Sequence, residues 1–261
     1  MTMNSAVEIR SLSFSRDGKA IVGELYLPTD ATRPLPAVIL SHGYGGDAGS
    51  VAGEARYFAE HGYAAYTFDF IGGGLRSRSE GTPAEMSVLT EARDLSAVLD
   101  GIAGLDAVDE ESVYLWGASQ GGFVSSYVAA SRPNDVRALV ALFPAYVIHD
   151  DSAKRAPDPS AIPERMEVMG MTLGSVYHRD ALSFDIYDLL PQYSRPVLII
   201  HGTADTLVPI SYSERAVKTF PNARLLPIPD AGHGFGGEDW ITASAAALQF
   251  MEDTGASADR W

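Results

Sequence analysis

Gly117-Ala118-Ser119-Gln120-Gly121 closes the apolar run "VYLW" and opens a helical pattern, so a hydroxyl stands where a strand gives way to a helix. Small residues on both sides let the chain turn sharply without side-chain clashes, leaving Ser119 exposed at a helix N-terminus. A serine hydroxyl is a weak nucleophile until a base takes its proton, and that base needs an acid to hold its tautomer. His233, in "PDAGHGF", and Asp205, in "LIIHGTAD", each follow a strand-like run and supply the two partners. The chemistry of such a set is acyl transfer: Ser119 attacks a carbonyl, His233 shuttles the proton and Asp205 orients His233. Asp230 lies close to His233 in sequence and is the substitute should Asp205 point away.

A tetrahedral intermediate also needs donors aimed at its oxyanion, usually backbone N–H groups. The N–H of Gln120, next after the nucleophile, and that of Tyr44, in "SHGYGGD", are the candidates, which leaves both side chains free to line the site. His42 is expected to brace that turn. His61 ends a helix at "EHG", His149 and His178 are expected at surface or rim positions, and His201 is assigned a structural duty. No H-x-H or H-E-x-x-H spacing occurs, so neither a metal site nor a cofactor is expected.

The elements that must place these residues are legible as a rhythm. "PAVILSHG", "YAAYTFDF", "SVYLWGAS", "ALVALFPA" and "RPVLIIHG" are short apolar runs ended by turn residues, as buried parallel strands are. Between them "SVAGEARYFAEHG", "MSVLTEARDLSAVLDGIAG" and "GGFVSSYVAASRP" repeat their apolar residues at helical spacing. The alternation predicts a doubly wound α/β sheet in a single domain. An antiparallel hairpin around Asp17-Gly18 precedes it at the sheet's edge. Residues 146–190 break the rhythm. They are too long and too rich in Pro and Asp for a compact connection and read as a cap inserted after the sixth strand. Met166, Met169 and Met171 within it serve either as an adaptable apolar surface or as filler at the junction with the core.

"HGYGGD", "GASQGG", "TLGSVY…YDLLPQYSRPVLIIHGTADTLVP" and "DAGHGF" together resemble the bacterial feruloyl (cinnamoyl) esterases of the α/β-hydrolase superfamily, over nearly the whole chain. The order Ser119, Asp205, His233 is also that superfamily's. The resemblance implies a mostly parallel eight-stranded sheet flanked by helices, and a cap that forms a pocket for a hydroxycinnamoyl group. It further implies that Asp151 and Tyr177 bind the ring hydroxyls, a role in which Asp150 could replace its neighbour by a one-residue slip. Some relatives use a cap glutamine too; none stands between Asp151 and Tyr177 here. The turn "DFIGGGLRSRSEG" departs from the commoner G-x-G-x-S form.

Composition narrows the partners. The 261 residues are 46% hydrophobic, contain no cysteine and carry a formal net charge of −15, which repels nucleic acid and anionic bilayers. No apolar run reaches the length of a membrane span and no signal-peptide pattern opens the chain, so a soluble, cytoplasmic protein without nucleic-acid or membrane partners is expected. The expected partner is a small aromatic ester, and a homodimer stays open. The rival readings are a broad short-chain acyl esterase, an acylaminoacyl peptidase-like hydrolase, and a non-catalytic binding protein on the same scaffold.

Overall fold

Asp17 and Gly18 both take positive φ, 51° and 78°, as the two central residues of a tight hairpin turn require. They join β1 (Val7–Arg16) to β2 (Lys19–Pro28) antiparallel, with Arg16 opposite Lys19. The chain then runs through β3 (Leu35–Ser41), α1 (Ala52–Glu60), β4 (Ala64–Phe68), α2 (Val88–Ala103), β5 (Val108–Ala118), α3 (Gln120–Ser131) and β6 (Ala138–Leu142). After β6 come α4 (Ile148–Arg155), β7 (Arg165–Val168), β8 (Met171–Gly174) and α5 (Ser175–Leu182). It closes with β9 (Val197–Gly202), α6 (Ser211–Thr219), β10 (Ala223–Ile228) and α7 (Gly237–Ala256). This computed structural model describes residues 6–256.

Eight strands form one sheet in the order β1-β2-β4-β3-β5-β6-β9-β10. β2 meets β4 antiparallel, and from β4 to β10 every pairing is parallel. The central strands are mostly apolar where they pair, because both faces are covered there. Ala37 and Ile39 of β3 and Leu115 of β5 join the core under α2 and α3, whereas Val38, Leu40 and Trp116 face α1 and α7. The five runs and three helical patterns anticipated from sequence all occur. Among the described residues no helix is long and apolar enough to cross a membrane.

From β3 the chain steps to β4 on one side and returns, through α2, to β5 on the other. Such a reversal leaves a crevice beyond the carboxyl ends of the two strands, the usual place for a ligand in an open α/β sheet. The turn after β3 and Ser119 after β5 both sit there.

The stretch between β6 and β9 is more ordered than its Pro and Asp content suggested. β7 and β8 form a two-stranded hairpin, Val168 opposite Met171, turning at Met169 (φ 46°) and Gly170 (φ 85°). Met171 and Leu173 pack with Met86, Val168 and Tyr177, and Tyr44 and Met166 close the cluster. The Tyr44 hydroxyl donates to the Val168 carbonyl at 2.6 Å, and Ser87, the N-cap of α2, donates to Asp180 of α5. The three methionines therefore divide their work: Met171 fills the junction, Met166 is half-buried, and Met169 is 62% exposed.

Candidate active site

Ser119 adopts φ 54° and ψ −119°, outside the regions open to ordinary L-residues, at a cost of about 1–3 kcal/mol. Three hydrogen bonds hold it there. Its N–H donates to Leu142 O at 2.9 Å, and its carbonyl accepts from Phe123 N at 3.1 Å and Ala145 N at 2.9 Å. The flanking glycines are steric requirements, since a Cβ on Gly117 would lie 2.3 Å from Gly121 O and one on Gly121 2.3 Å from Ser41 O. Strand, turn and helix thus pack too closely for any other residue at either position.

His233 Nε2 lies 2.9 Å from Ser119 Oγ, and its Nδ1 lies 2.7 Å from Asp205 Oδ2. The Asp205 side chain is fully buried, and its other oxygen, Oδ1, accepts the N–H groups of Leu207 and Val208, both at 2.9 Å. His201 bears out its structural assignment. Its Nδ1 is 2.7 Å from Ser213 Oγ and its Nε2 is 2.9 Å from Val208 O and 3.2 Å from Asp205 Oδ2. Burial holds the His201 pKa down, so the ring stays neutral and braces the acid without adding charge. Phe143 stacks edge-on against His233 at 4.8 Å and fixes the imidazole plane. Asp230 is exposed, with its own N–H donated to Thr203 Oγ1, and has no contact with the relay.

The two candidate oxyanion donors flank this hydroxyl. Gly43 is so near that a Cβ there would lie 3.2 Å from Ser119 Cβ, which brings the following residue, Tyr44, to the nucleophile. The turn closes through Gly46 N–H to Gly43 O at 3.0 Å, without using the Tyr44 N–H. Gln120 is the first residue of α3, where an N–H has no carbonyl to accept it inside the helix. His42 braces the turn as expected: it is buried, with Nδ1 2.8 Å from Gly43 O and Nε2 accepting Phe70 N–H at 3.3 Å. The unusual 69–81 turn is anchored by Asp69, which accepts Ala48 N–H at 2.6 Å and Arg78 N–H at 2.7 Å.

The side chains of Gln120 and Tyr44 line the cleft, as the sequence predicts, but contrary to expectation both are held by partners. Gln120 is clamped at both ends, donating from Nε2 to Glu91 at 2.8 Å and accepting at Oε1 from the Tyr177 hydroxyl at 2.8 Å. Glu91 went unnoticed in the sequence, although its position on the Val88, Leu95, Val98 stripe of α2 marks it as facing the core. Burial pushes its carboxyl up to about 8, with the Gln120 hydrogen bond opposing and the nearby Asp94 charge reinforcing.

A cleft opens beside Ser119. Its wall is mostly apolar, with Val147, Ile148 and Val168 prominent, and its polar groups include Asp151, Ser152 and Arg155 on α4. The slip between neighbouring aspartates is decided by helix phase: Asp151 lines the cleft, whereas Asp150 faces away and accepts the Tyr212 hydroxyl at 2.6 Å. Tyr177 lines the cleft too, but its proton goes to Gln120, and burial raises its pKa so that it stays a neutral phenol. His178 is not a rim residue. It is 1% exposed, with Nδ1 3.1 Å from Ser152 Oγ, and supports α4 from below. Among the described residues no group of three or more His, Asp or Glu is placed to hold a metal ion.

Residues 32–183 match the family model of the serine aminopeptidase, S33, and residues 167–239 that of the alpha/beta hydrolase fold. The chain belongs to the α/β-hydrolase family. It is similar to the quorum-quenching protein AidA of Acinetobacter baumannii, 28% identical over 151 residues, which span 57% of this chain and 46% of that protein. Among solved structures, Est1E from Butyrivibrio proteoclasticus with ferulic acid bound superposes with a TM-score of 0.86 at 27% identity, covering 94% of this chain and 99% of that one. Acetyl xylan esterase 1 from Thermoanaerobacterium shares the fold, with a TM-score of 0.68 at 20% identity over 96% of this chain and 88% of that one.

Proposed function

We propose that the protein is a serine carboxylesterase that hydrolyses hydroxycinnamate esters through an acyl-enzyme. The observation that carries this is the unbroken relay from Asp205 through His233 to Ser119, at 2.7 Å and 2.9 Å, opening onto an apolar cleft with a carboxylate in its wall. As Ser119 Oγ bonds to the ester carbon, its proton passes to His233 Nε2 and the carbonyl oxygen gathers charge beside the Tyr44 and Gln120 N–H groups. The adduct collapses by breaking the carbon–alcohol bond, and His233 returns the proton to the departing oxygen. Water, deprotonated by His233, then cleaves the acyl-enzyme, freeing the acid and restoring the serine.

The acyl assignment draws on shape and chemistry. A flat apolar ring gains by leaving water for the cleft, and Asp151 can accept the proton of a phenol, a strong charge-assisted bond. Residues 146–190 act in this reading as the cap. The likeness to Est1E, whose structure holds ferulic acid, supports the same choice. A broad short-chain esterase is the second reading, favoured by the Tyr177 hydroxyl being committed to Gln120, which leaves fewer groups to recognise a ring hydroxyl. A panel of ethyl ferulate, chlorogenate, p-nitrophenyl butyrate and peptide anilides tests both. The proposal expects the highest kcat/KM on the hydroxycinnamates. A clear preference for the butyrate ester moves the assignment to the second reading, and cleavage of anilides alone overturns both.

A further inference from the structure

Two clefts meet at Ser119. The first has Gln120, Asp151 and Tyr177 in its wall; the second carries His233 with Gly46, Ser50, Val51 and Phe143. Tyr44, Met169 and Leu207 border both and form the ridge between them.

Proton flow assigns the two spaces. When the adduct collapses, the departing alcohol oxygen takes the proton that His233 Nε2 drew from Ser119, so that oxygen must lie within hydrogen-bond reach of Nε2. His233 lines the second cleft and not the first. The acyl group therefore extends toward Asp151 and the alcohol toward Val51 and Phe143. We infer that the His233-side cleft is the alcohol subsite and that it takes an apolar alkyl or aryl alcohol in preference to a polyol or an acidic alcohol. This rests on the relay proposed above, but not on the acyl group being a hydroxycinnamate.

The selectivity follows from what the wall offers. Val51 and Phe143 are 3% and 7% exposed, and Met169 and Leu207 present 62% and 44% of their surfaces at the mouth. Beyond the relay itself, the side-chain polar groups of this cleft are the hydroxyls of Ser50 and Tyr44, and both protons are spent. Ser50 Oγ donates to Asp47 Oδ1 at 3.0 Å while accepting Asp47 N–H at 3.1 Å, and Tyr44 donates to Val168 O at 2.6 Å. The Gly43 carbonyl already faces two nitrogens, Gly46 N at 3.0 Å and His42 Nδ1 at 2.8 Å. No charged side chain lines the cleft. A carboxylate entering it would meet no side-chain cation or free hydroxyl proton, and a sugar would find only the acceptor lone pairs of Ser50 and Tyr44, whereas each added methylene gains.

The test is an alcohol series on the full chain: methyl, ethyl and butyl esters of ferulic acid, the same esters of butyric acid, and butyl caffeate against chlorogenate, which share an acyl group. The expected result is a kcat/KM that rises from methyl to butyl by about tenfold in whichever acid series is turned over, with butyl caffeate ahead of the quinate ester. Val51→Ala and Leu207→Ala each pull the butyl-to-methyl ratio toward one; Leu207, being exposed, gives a readout even if Val51→Ala fails to fold. A flat or falling series, or chlorogenate ahead of butyl caffeate, overturns the inference. If ferulates stay intact while butyrates are cleaved with the rising slope, the hydroxycinnamate reading fails and the alcohol subsite stands. If neither series is cleaved, both fall.

Discussion

Replacing Asp205 by Asn tests the relay at its least accessible point. Oδ1 accepts two backbone N–H groups, from Leu207 and Val208, both at 2.9 Å, so the carbonyl of the new amide is held on that side. Its NH₂ must then occupy the place of Oδ2, 2.7 Å from His233 Nδ1, where a donor now faces the ring instead of an acceptor. His233 answers by carrying its proton on Nε2, and a protonated Nε2 cannot take the proton of Ser119 from 2.9 Å away. A wrong tautomer in otherwise intact geometry lowers kcat by about 10⁴-fold, equivalent to about 5 kcal/mol of barrier. The fold should tolerate the change, because the two N–H bonds survive and His201 is neutral. The measurement pairs kcat on p-nitrophenyl butyrate with a thermal melt, and the reasoning is refuted if the folded variant keeps more than a tenth of the wild-type rate.

Ser119→Ala should lose roughly 10⁶-fold in kcat with little change in Tm, and should no longer be labelled by a fluorophosphonate; undiminished labelling would point to another nucleophile. Asp151→Ala should reduce kcat/KM on caffeoyl esters by roughly tenfold or more while sparing p-nitrophenyl butyrate. Its ion pairs with Lys154 and Arg155, at 3.5 and 3.6 Å, lie near the surface, so a large drop in Tm would assign it to stability instead. For Glu91 the sign follows from its raised pKa. Between the ordinary 4.5 and about 8 the folded protein keeps a proton that the unfolded chain releases, so this group's contribution to stability falls as pH rises across that window. Glu91→Gln removes the effect, and its Tm relative to wild type should climb from pH 5 to pH 8.5; a difference constant with pH would contradict the buried acid.

The relay was legible because each of its members follows a strand in a distinctive short motif, and the fold sends the carboxyl ends of parallel strands to one edge. What the sequence concealed depended on side-chain partners contributed by distant elements. Gln120 reads as a residue with a spare side chain until α2 supplies Glu91 and α5 supplies Tyr177. His178 reads as a surface residue because its eight-residue helix carries charged neighbours; only its packing under α4 shows otherwise. The ambiguity between Asp150 and Asp151 could not be settled without knowing that α4 begins at Ile148, which turns successive side chains about 100° apart and sends one inward and one toward Tyr212.

Tyr44 belongs to two machines at once. Its main chain stands beside the nucleophile, and its phenol is bolted to the hairpin that walls the acyl cleft. On the proposed assignment, reshaping that hairpin to admit a different acid would tug on the 42–46 loop, tying substrate range to turnover. Laboratory evolution toward bulkier acids should accordingly select compensating changes between residues 42 and 46 as often as in the hairpin itself.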